Sequence, residues 1–588
     1  MGCLFCLAML IYPYIEINDV QMPLKGGQSI MKIPVGKENF EEIRREHSYY
    51  VDKTNLIYDL VNGTDNKVTL FTRPRRFGKT LMMSMLESFF SIQKGNSRDV
   101  FEGLAIMKHD GFCQEWMNQY PVLFVTLKGI EGLSFVEAYT TLQVKLSDLC
   151  KANENLLDCD TVNGDDKQLF REMMAQASSL ANIKDSLKTI TRMMHAAYGK
   201  PVILLIDEYD VPLAKANEQD RAENCYYQKM ANVIRGMFDA ALKGNDHLKF
   251  AVVTGCLRIA KESIFTGTNN FVSYSVLDED FSEYFGFTQE EVHDLLEAAN
   301  LLDKEKEIRS WYDGYIFGST PLYCPWDVAS HVAALLKNRN TRLKNYWKNT
   351  SHNGILLTFV ERTDFDVSDQ FEALLNKSTI LQTISDELTY DTLHESEDNL
   401  WSLLLMTGYL TKADPQEAGE SIALKIPNTE IMNIFEETVV RYFKDTLALD
   451  RSRQKELMKA LWDGDEGKAS EKMTDILFET ISYHDYHENY YHAFMTGIIS
   501  GLGYAVKSNQ ENGLGRSDID VREKSKKRGM ILETKKSEKL EDMERDALEG
   551  KQQILDKEYL RGFTGFDSVI CYGISFYQKK ALVKKLTL

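Results

Sequence analysis

Proline is scarce in this 588-residue chain: eleven residues lie scattered along it, too few and too dispersed for long disordered linkers. No internal repeat and no low-complexity tract is present, which excludes solenoids and fibrous arrays. An excess of positive charge is missing as well. Lys and Arg number 69 against 88 Asp and Glu, a net charge of −19. That balance argues against a protein that coats nucleic acid non-specifically, although it leaves room for a local basic groove. Cysteine occurs nine times, an odd number, and only Cys3 and Cys6 approach metal-ligand spacing, with no His or further Cys near them. A zinc site is not expected, and scattered free thiols fit a reducing cytoplasm.

Residues 1–14 are apolar but shorter than a membrane span, and no basic residues precede them as a signal peptide requires. Residues 1–30 read as an N-terminal extension ahead of a globular start at Met31, with a membrane anchor as the alternative; no membrane partner is expected. Hydrophobic residues make up 43% and charged residues 27%, the balance of an ordinary globular protein. The length exceeds what one core serves, so about two to four domains are expected.

Residues 67–72, 121–127, 201–206 and 250–254 are short apolar strands, with helical patterns at 81–90, 134–149 and 183–197. Strands apolar on both faces and separated by helices predict an α/β domain over 31–285, built on a parallel sheet covered on both sides. Residues 286–468 read as a helical lid, helix and turn at first, with the aromatic cluster Trp311-Tyr312-Asp313-Gly314-Tyr315. Within it, 400–406 followed by 408–411 and 422–426 give a helix and a β-hairpin, the outline of a winged helix or of a small lid. No basic stripe accompanies it. A last α/β unit, 469–588, runs helix (490–502), strands (504–508, 518–522, 529–534), helix (540–557) and strand (568–576).

Arg73-Pro74-Arg75-Arg76-Phe77-Gly78-Lys79-Thr80 lies between a strand and a helix. Binding a nucleotide there needs backbone N–H groups around phosphate oxygens, a lysine for the outer phosphates and a hydroxyl for Mg²⁺. Gly78, Lys79 and Thr80 supply these, with Arg75, Arg76 and Phe77 in the loop. The glycine usual five positions before Gly78 is here Arg73. Downstream, the aliphatic strand 202–206 ends in Asp207 and Glu208. In such folds Asp207 meets the metal-bound phosphate and Glu208 polarises a water for attack on the γ-phosphate of ATP. Either half alone is a common accident; together they predict an ATP-binding P-loop NTPase. Thr254, at the tip of the next strand, is placed to orient the attacking water, and Arg258 either reaches a phosphate or pairs with a nearby acid.

In the last unit Asp518 starts one strand and Glu533-Thr534-Lys535 ends the next, with the basic turn 524–528 between them. Glu533 and Lys535 share a face, and a hairpin brings Asp518 alongside. Two carboxylates suit Mg²⁺, and an amine beside them suits a phosphodiester. An exposed hairpin with paired charges is the plainer reading of the same residues. Glu488 offers a further metal ligand, Lys536 and Lys539 add positive charge, and Asp520 shares a face with Asp518 and competes for its role.

Tyr50-Val-Asp-Lys-Thr54, the loop 73–80, Leu205-Ile-Asp-Glu-Tyr-Asp210, Thr254-Gly255, Ser263-Ile-Phe265 and Asn269-Asn270 together resemble a bacterial AAA-ATPase-like family whose members carry a C-terminal nuclease-superfamily domain. The resemblance covers roughly 32–327 and the last hundred residues, and it implies that the family itself dispenses with the first loop glycine. Asp518, Glu533, Lys535 and the helix residue Gln553 resemble the pattern of the PD-(D/E)XK nuclease superfamily. This implies a restriction-endonuclease-like fold and favours Asp518, which follows Gly-Arg-Ser as in the resembling proteins.

The expected function is an ATPase coupled to a Mg²⁺-dependent nuclease acting on DNA or RNA. A nucleotide-dependent switch or scaffold that binds nucleic acid or protein without cleaving is the alternative, and a metabolic kinase fits least. A neighbouring subunit's arginine often completes such ATP sites, which allows a homo-oligomer.

Overall fold

The computed structural model describes residues 31–63, 65–218, 226–258, 271–347, 368–385, 388, 396–414, 421–447, 451–480, 488–512 and 515–586. The extension 1–30 and the motif residues of 263–270 lie outside them.

The front half is a five-stranded parallel sheet in the order β2-β3-β4-β1-β5. Its strands are β1 (Val68–Thr72), β2 (Val122–Thr126), β3 (Val202–Asp207), β4 (Leu248–Gly255) and β5 (Phe271–Tyr274). Every residue of β1 and β3 is buried, as expected for strands covered on both faces by helices. The order has one consequence for chemistry. β4 lies between the strand that carries the loop and the strand that carries the acids, so its tip abuts both.

The middle is helical, as expected, with two departures. Where helix and turn were read, β6 (Asp313–Phe317) and β7 (Thr320–Tyr323) form an antiparallel hairpin. Its two-residue Gly318-Ser319 link was the available signal. β8 (Ile380–Thr383) joins β9 (Thr411–Lys412) and β10 (Ser421–Lys425) in the order β8-β10-β9, so the helix-plus-hairpin outline gains a third strand. The hairpin packs onto the phosphate loop: the rings of Tyr315 and Phe317 lie 5.0 and 4.9 Å from that of Phe77. Among the described residues no helix is long and apolar enough to cross a membrane.

The rear sheet runs β11 (Ala505–Asn512), β12 (Gly515–Glu523), β13 (Arg528–Lys536), β14 (Ser568–Tyr577) and β15 (Lys580–Lys585), in that order. β13 and β14 are parallel and the other neighbours antiparallel. The Met543–Asp556 helix lies on β13 and β14 and makes the crossover between them. Gly573 on β14 permits the close approach, because a Cβ there would stand 2.0 Å from Ala547 O on that helix.

Candidate functional site

β1 ends at Thr72, the chain turns through the loop, and the Lys79–Phe90 helix starts immediately. Arg76 and Gly78 both adopt positive φ, 75° and 83°. Left-handed residues alternating with right-handed ones curl successive N–H groups toward one point, the geometry of an anion nest. Lys79 is buried, and its ammonium donates to Arg73 O at 2.8 Å and Pro74 O at 2.9 Å, which holds it across the loop.

Thr80 Oγ1 donates to Asp207 Oδ2 at 2.9 Å, and Thr254 Oγ1 donates to Asp207 Oδ1 at 2.6 Å. Burial raises the Asp207 carboxyl above its ordinary range, opposed by the bonds from Thr254 and Thr80 and by Lys79. Glu208 takes φ 52°, an uncommon conformation for a residue with a Cβ, and lines the cavity beside the loop. Burial and then the charge of Asp207 raise its carboxyl too. Asp210 fixes the other side of the turn, its Oδ2 accepting from Cys256 N at 2.9 Å and Leu257 N at 3.1 Å. Gly255 is required here, since a Cβ would stand 2.5 Å from the Tyr209 ring. The resemblance quoted Tyr209, Asp210 and Gly255 without roles; they build the turn.

Arg75, Arg76, Phe77, Gly78, Lys79, Thr80 and Glu208 all line one cavity of about 550 Å³. Asp207 and Thr254 stand behind Thr80, and Arg258 is not among the lining residues. Phe77 turns its ring into the hairpin, so only its backbone faces the loop. Arg73 takes no part in the cavity. Fully buried, it donates to Thr72 O and Tyr274 O at 3.0 and 2.8 Å and lies 4.8 Å from the Phe285 ring. It bolts the end of β1 to β5, which is a structural reason for an arginine where a glycine is usual. Lys53, from the Tyr50–Thr54 motif, does line the cavity, and there it pairs with Glu291 at 2.6 Å and donates to Glu283 O.

In the rear sheet Ile519 faces Leu532, which sets Asp518 beside Glu533. Asp518 Oδ2 accepts from Thr534 N at 2.8 Å and Thr534 Oγ1 at 2.9 Å, and Asp518 N donates to Glu533 Oε2 at 3.4 Å. Gln553 Nε2 donates to Glu533 Oε1, and His492 Nε2 lies 2.9 Å from Asp518 O. Burial, then the Asp518 charge, pushes the Glu533 carboxyl up to about 8, against the pull of Lys535. Asp520 is fully buried and engaged elsewhere, with Ser517 Oγ at 2.8 Å and Arg522 at 3.2 Å. Lys536 and Lys539 pair loosely with Glu538 and Glu541. Glu488 opens the Glu488–Gly501 helix, but its side chain lies outside the described residues. Among those described, no group of three or more His, Cys, Asp or Glu gathers as a metal centre. The donors present still fit a hard cation: a hydroxyl and a carboxylate at Thr80 and Asp207, two carboxylates at Asp518 and Glu533.

Residues 34–265 match the family model of predicted AAA-ATPases, and residues 486–586 match that of the PD-(D/E)XK nuclease superfamily. The chain is 26% identical over 506 residues to an uncharacterized protein in the vnfD 5′ region of Azotobacter chroococcum mcd 1, covering 83% of this chain and 87% of that one.

Proposed function

We propose, for a chain that joins a predicted AAA-ATPase segment to a PD-(D/E)XK nuclease-superfamily segment, that it hydrolyses ATP in front and cleaves phosphodiester bonds behind. The observation that carries this reading is that two separate acid sites are built in one chain: Asp207 on Thr80 beside Lys79, and Glu533 beside Asp518.

In front, the loop amides and Lys79 bind the triphosphate, and Thr80 and Asp207 would hold Mg²⁺. Glu208, raised by burial, takes a proton from the attacking water, and Thr254 keeps Asp207 oriented. Behind, Asp518 and Glu533 would hold Mg²⁺, with Glu488 as a third ligand. At both places the ion supplies charge neutralisation on a phosphoryl group and a lowered pKa for its water. Lys535 stabilises developing charge on the phosphodiester, and Gln553 fixes the Glu533 carboxylate. Arg258 acts on the phosphates only if a movement brings it to the cavity. The units acting are 31–285, a lid at 286–468, and 469–588, in a cytoplasmic protein, with a homo-oligomer supplying a further arginine.

The test is paired. Purified protein should hydrolyse ATP and cut DNA or RNA with Mg²⁺ or Mn²⁺. Glu208→Gln should stop turnover while ATP stays bound, and Glu533→Ala should stop cutting alone. Undiminished cutting by Glu533→Ala sinks the nuclease half. A switch that binds without cleaving is favoured by one observation, that both carboxylates of the rear pair already accept hydrogen bonds within the protein, Asp518 from Thr534 and Glu533 from Gln553. Calorimetry with Mn²⁺ decides, because a switch of that kind takes up no metal at Asp518 and Glu533.

A further inference from the structure

The register between β12 and β13 runs from Ile519 to Glu523, so the backbone of Asp518 lies just past its end. On that side its polar groups are met by side chains instead of a strand. Asp518 N donates to Glu533 Oε2 at 3.4 Å, and Asp518 O lies 2.9 Å from His492 Nε2. A carbonyl oxygen only accepts, so Nε2 carries the proton of this bond. We propose that His492 is a positioning residue of the rear site, holding Asp518 where its carboxylate meets Glu533, and that Glu436, from a helix of the middle, holds His492 in turn. The role rests on Asp518 and Glu533 being a divalent-metal pair.

His492 belongs to the Glu488–Gly501 helix, which is locked onto the rear sheet. The Tyr491 ring stacks on that of Phe576 at 4.2 Å, the Tyr491 hydroxyl donates to Gln578 O at 2.6 Å, and Phe494, Met495 and Ile498 are fully buried. An imidazole on a helix so fixed delivers its donor to one place. Position 488 lies one turn before His492 on the same helix face, so the bond to Asp518 O also sets that face against the carboxylate pair.

The same helix is covered from the middle, where the Ser368–Leu375 and Thr429–Leu447 helices pack against it. Glu436, half-buried on the second of these, lies within the field of His492: burial raises its carboxyl, and the charges of His492 and then Lys377 oppose that rise. A carboxylate near an imidazole biases which ring nitrogen holds the proton and how the ring sits. The helix that carries Glu436 is anchored at its start. There Thr429 Oγ1 donates to Ser310 O at 3.0 Å and Asn428 Nδ2 to Tyr312 O at 3.3 Å. The rear site is thus held partly from outside its own unit.

Mn²⁺ binding should be measured by calorimetry on the full chain without nucleotide, for wild type, His492→Phe, His492→Gln, Glu436→Gln and the Glu436→Gln, His492→Gln double variant. Asp518→Asn supplies the blank, since the heat it loses is that of the rear site. His492→Phe keeps a flat ring without the donor and should weaken Mn²⁺ there about tenfold or more, whereas His492→Gln, whose amide N–H reaches the same carbonyl, should stay within about threefold. Glu436→Gln should cost about threefold in the wild-type background and less than about 1.5-fold in the His492→Gln background. Where His492→Phe melts early, the two Glu436→Gln comparisons decide alone. Unchanged Mn²⁺ affinity in His492→Phe, or equal losses in the Phe and Gln variants, overturns the positioning role. Equal losses from Glu436→Gln in both backgrounds overturn the link to the middle. A wild-type chain whose Mn²⁺ heat matches that of Asp518→Asn defeats the metal-pair reading itself, and the role of His492 with it.

Discussion

Thr80 and Thr254, from opposite ends of the front domain's sequence, donate to the two oxygens of the same carboxylate, that of Asp207, at 2.9 and 2.6 Å. Each has a different consequence on removal. Thr254→Val keeps the shape but strips a hydrogen bond from a buried acid, a loss of about 1–3 kcal/mol in stability. With Asp207 free to turn, ATP turnover should fall by roughly tenfold or more while ATP affinity changes little. Steady-state kinetics beside equilibrium binding separate the two. A variant with normal turnover would show that the carboxylate needs no such orientation.

Restoring the usual loop glycine should harm the protein. Arg73→Gly removes the bonds to Thr72 O and Tyr274 O and the contact with the Phe285 ring, and it leaves a large void under the loop. The expected loss is about 2–4 kcal/mol, seen as a lower melting temperature rather than tighter ATP binding. Unchanged melting would remove the bolt from the account of this loop.

How legible these sites were depended on how local their residues are. Gly78-Lys79-Thr80 and Asp207-Glu208 each occupy consecutive positions at a strand end, so chain order alone exposes them. The Asp518–Glu533 pair was readable because a hairpin converts sequence spacing into register. Only the resemblance favoured Asp518 over Asp520; the physical difference, that Arg522 and Ser517 claim Asp520, depends on how the side chains pack. The cavity wall beyond the phosphate loop is assembled from stretches near 34, 49, 290 and 326, and tertiary packing alone brings these together. The hairpin at 313–323 was missed because its aromatic run carries no alternation, its rings being shared between Phe77 and the hairpin's own core.

Asp518 and Asp520 should therefore separate by phenotype. Asp518→Asn should abolish cleavage, at least about a hundredfold, with melting near wild type. Asp520→Asn should instead lower stability by about 1–3 kcal/mol, because it leaves the Arg522 guanidinium without its buried partner. Cleavage assays and thermal melts on both variants check this. An exchange of phenotypes would move the metal ligand to Asp520.

The pH dependence of stability should show a second buried acid pair, in the helical middle of the chain. Asp327, in the Pro325–Lys337 helix, faces Glu430, at the start of the Thr429–Leu447 helix, and both are buried. Burial raises Asp327 to about 7, against the hydrogen bonds with Cys324 and Glu430 and the charge of Arg76, and burial with the charge of Asp327 raises Glu430 to about 9. Cys324 hydrogen-bonds Asp327, and Trp347 N donates to Glu430 Oε1 at 2.6 Å. Both folded pKa values lie above the unfolded ones, so the native state binds more protons across the interval from about 4 to about 9. Unfolding free energy must then fall as pH rises through that interval, and it is greatest below it as far as this pair is concerned. Glu430→Gln keeps an acceptor for Trp347 and offers Asp327 a donor, so Asp327 can ionise without a like charge beside it. At pH 9 the variant should melt roughly 2–8 °C above wild type, with the difference vanishing toward pH 5. Because other raised carboxyls such as Glu533 add their own slope, the diagnostic quantity is the difference between the two melting curves at each pH. A difference that stays constant from pH 5 to 9 would mean the two acids do not share a proton.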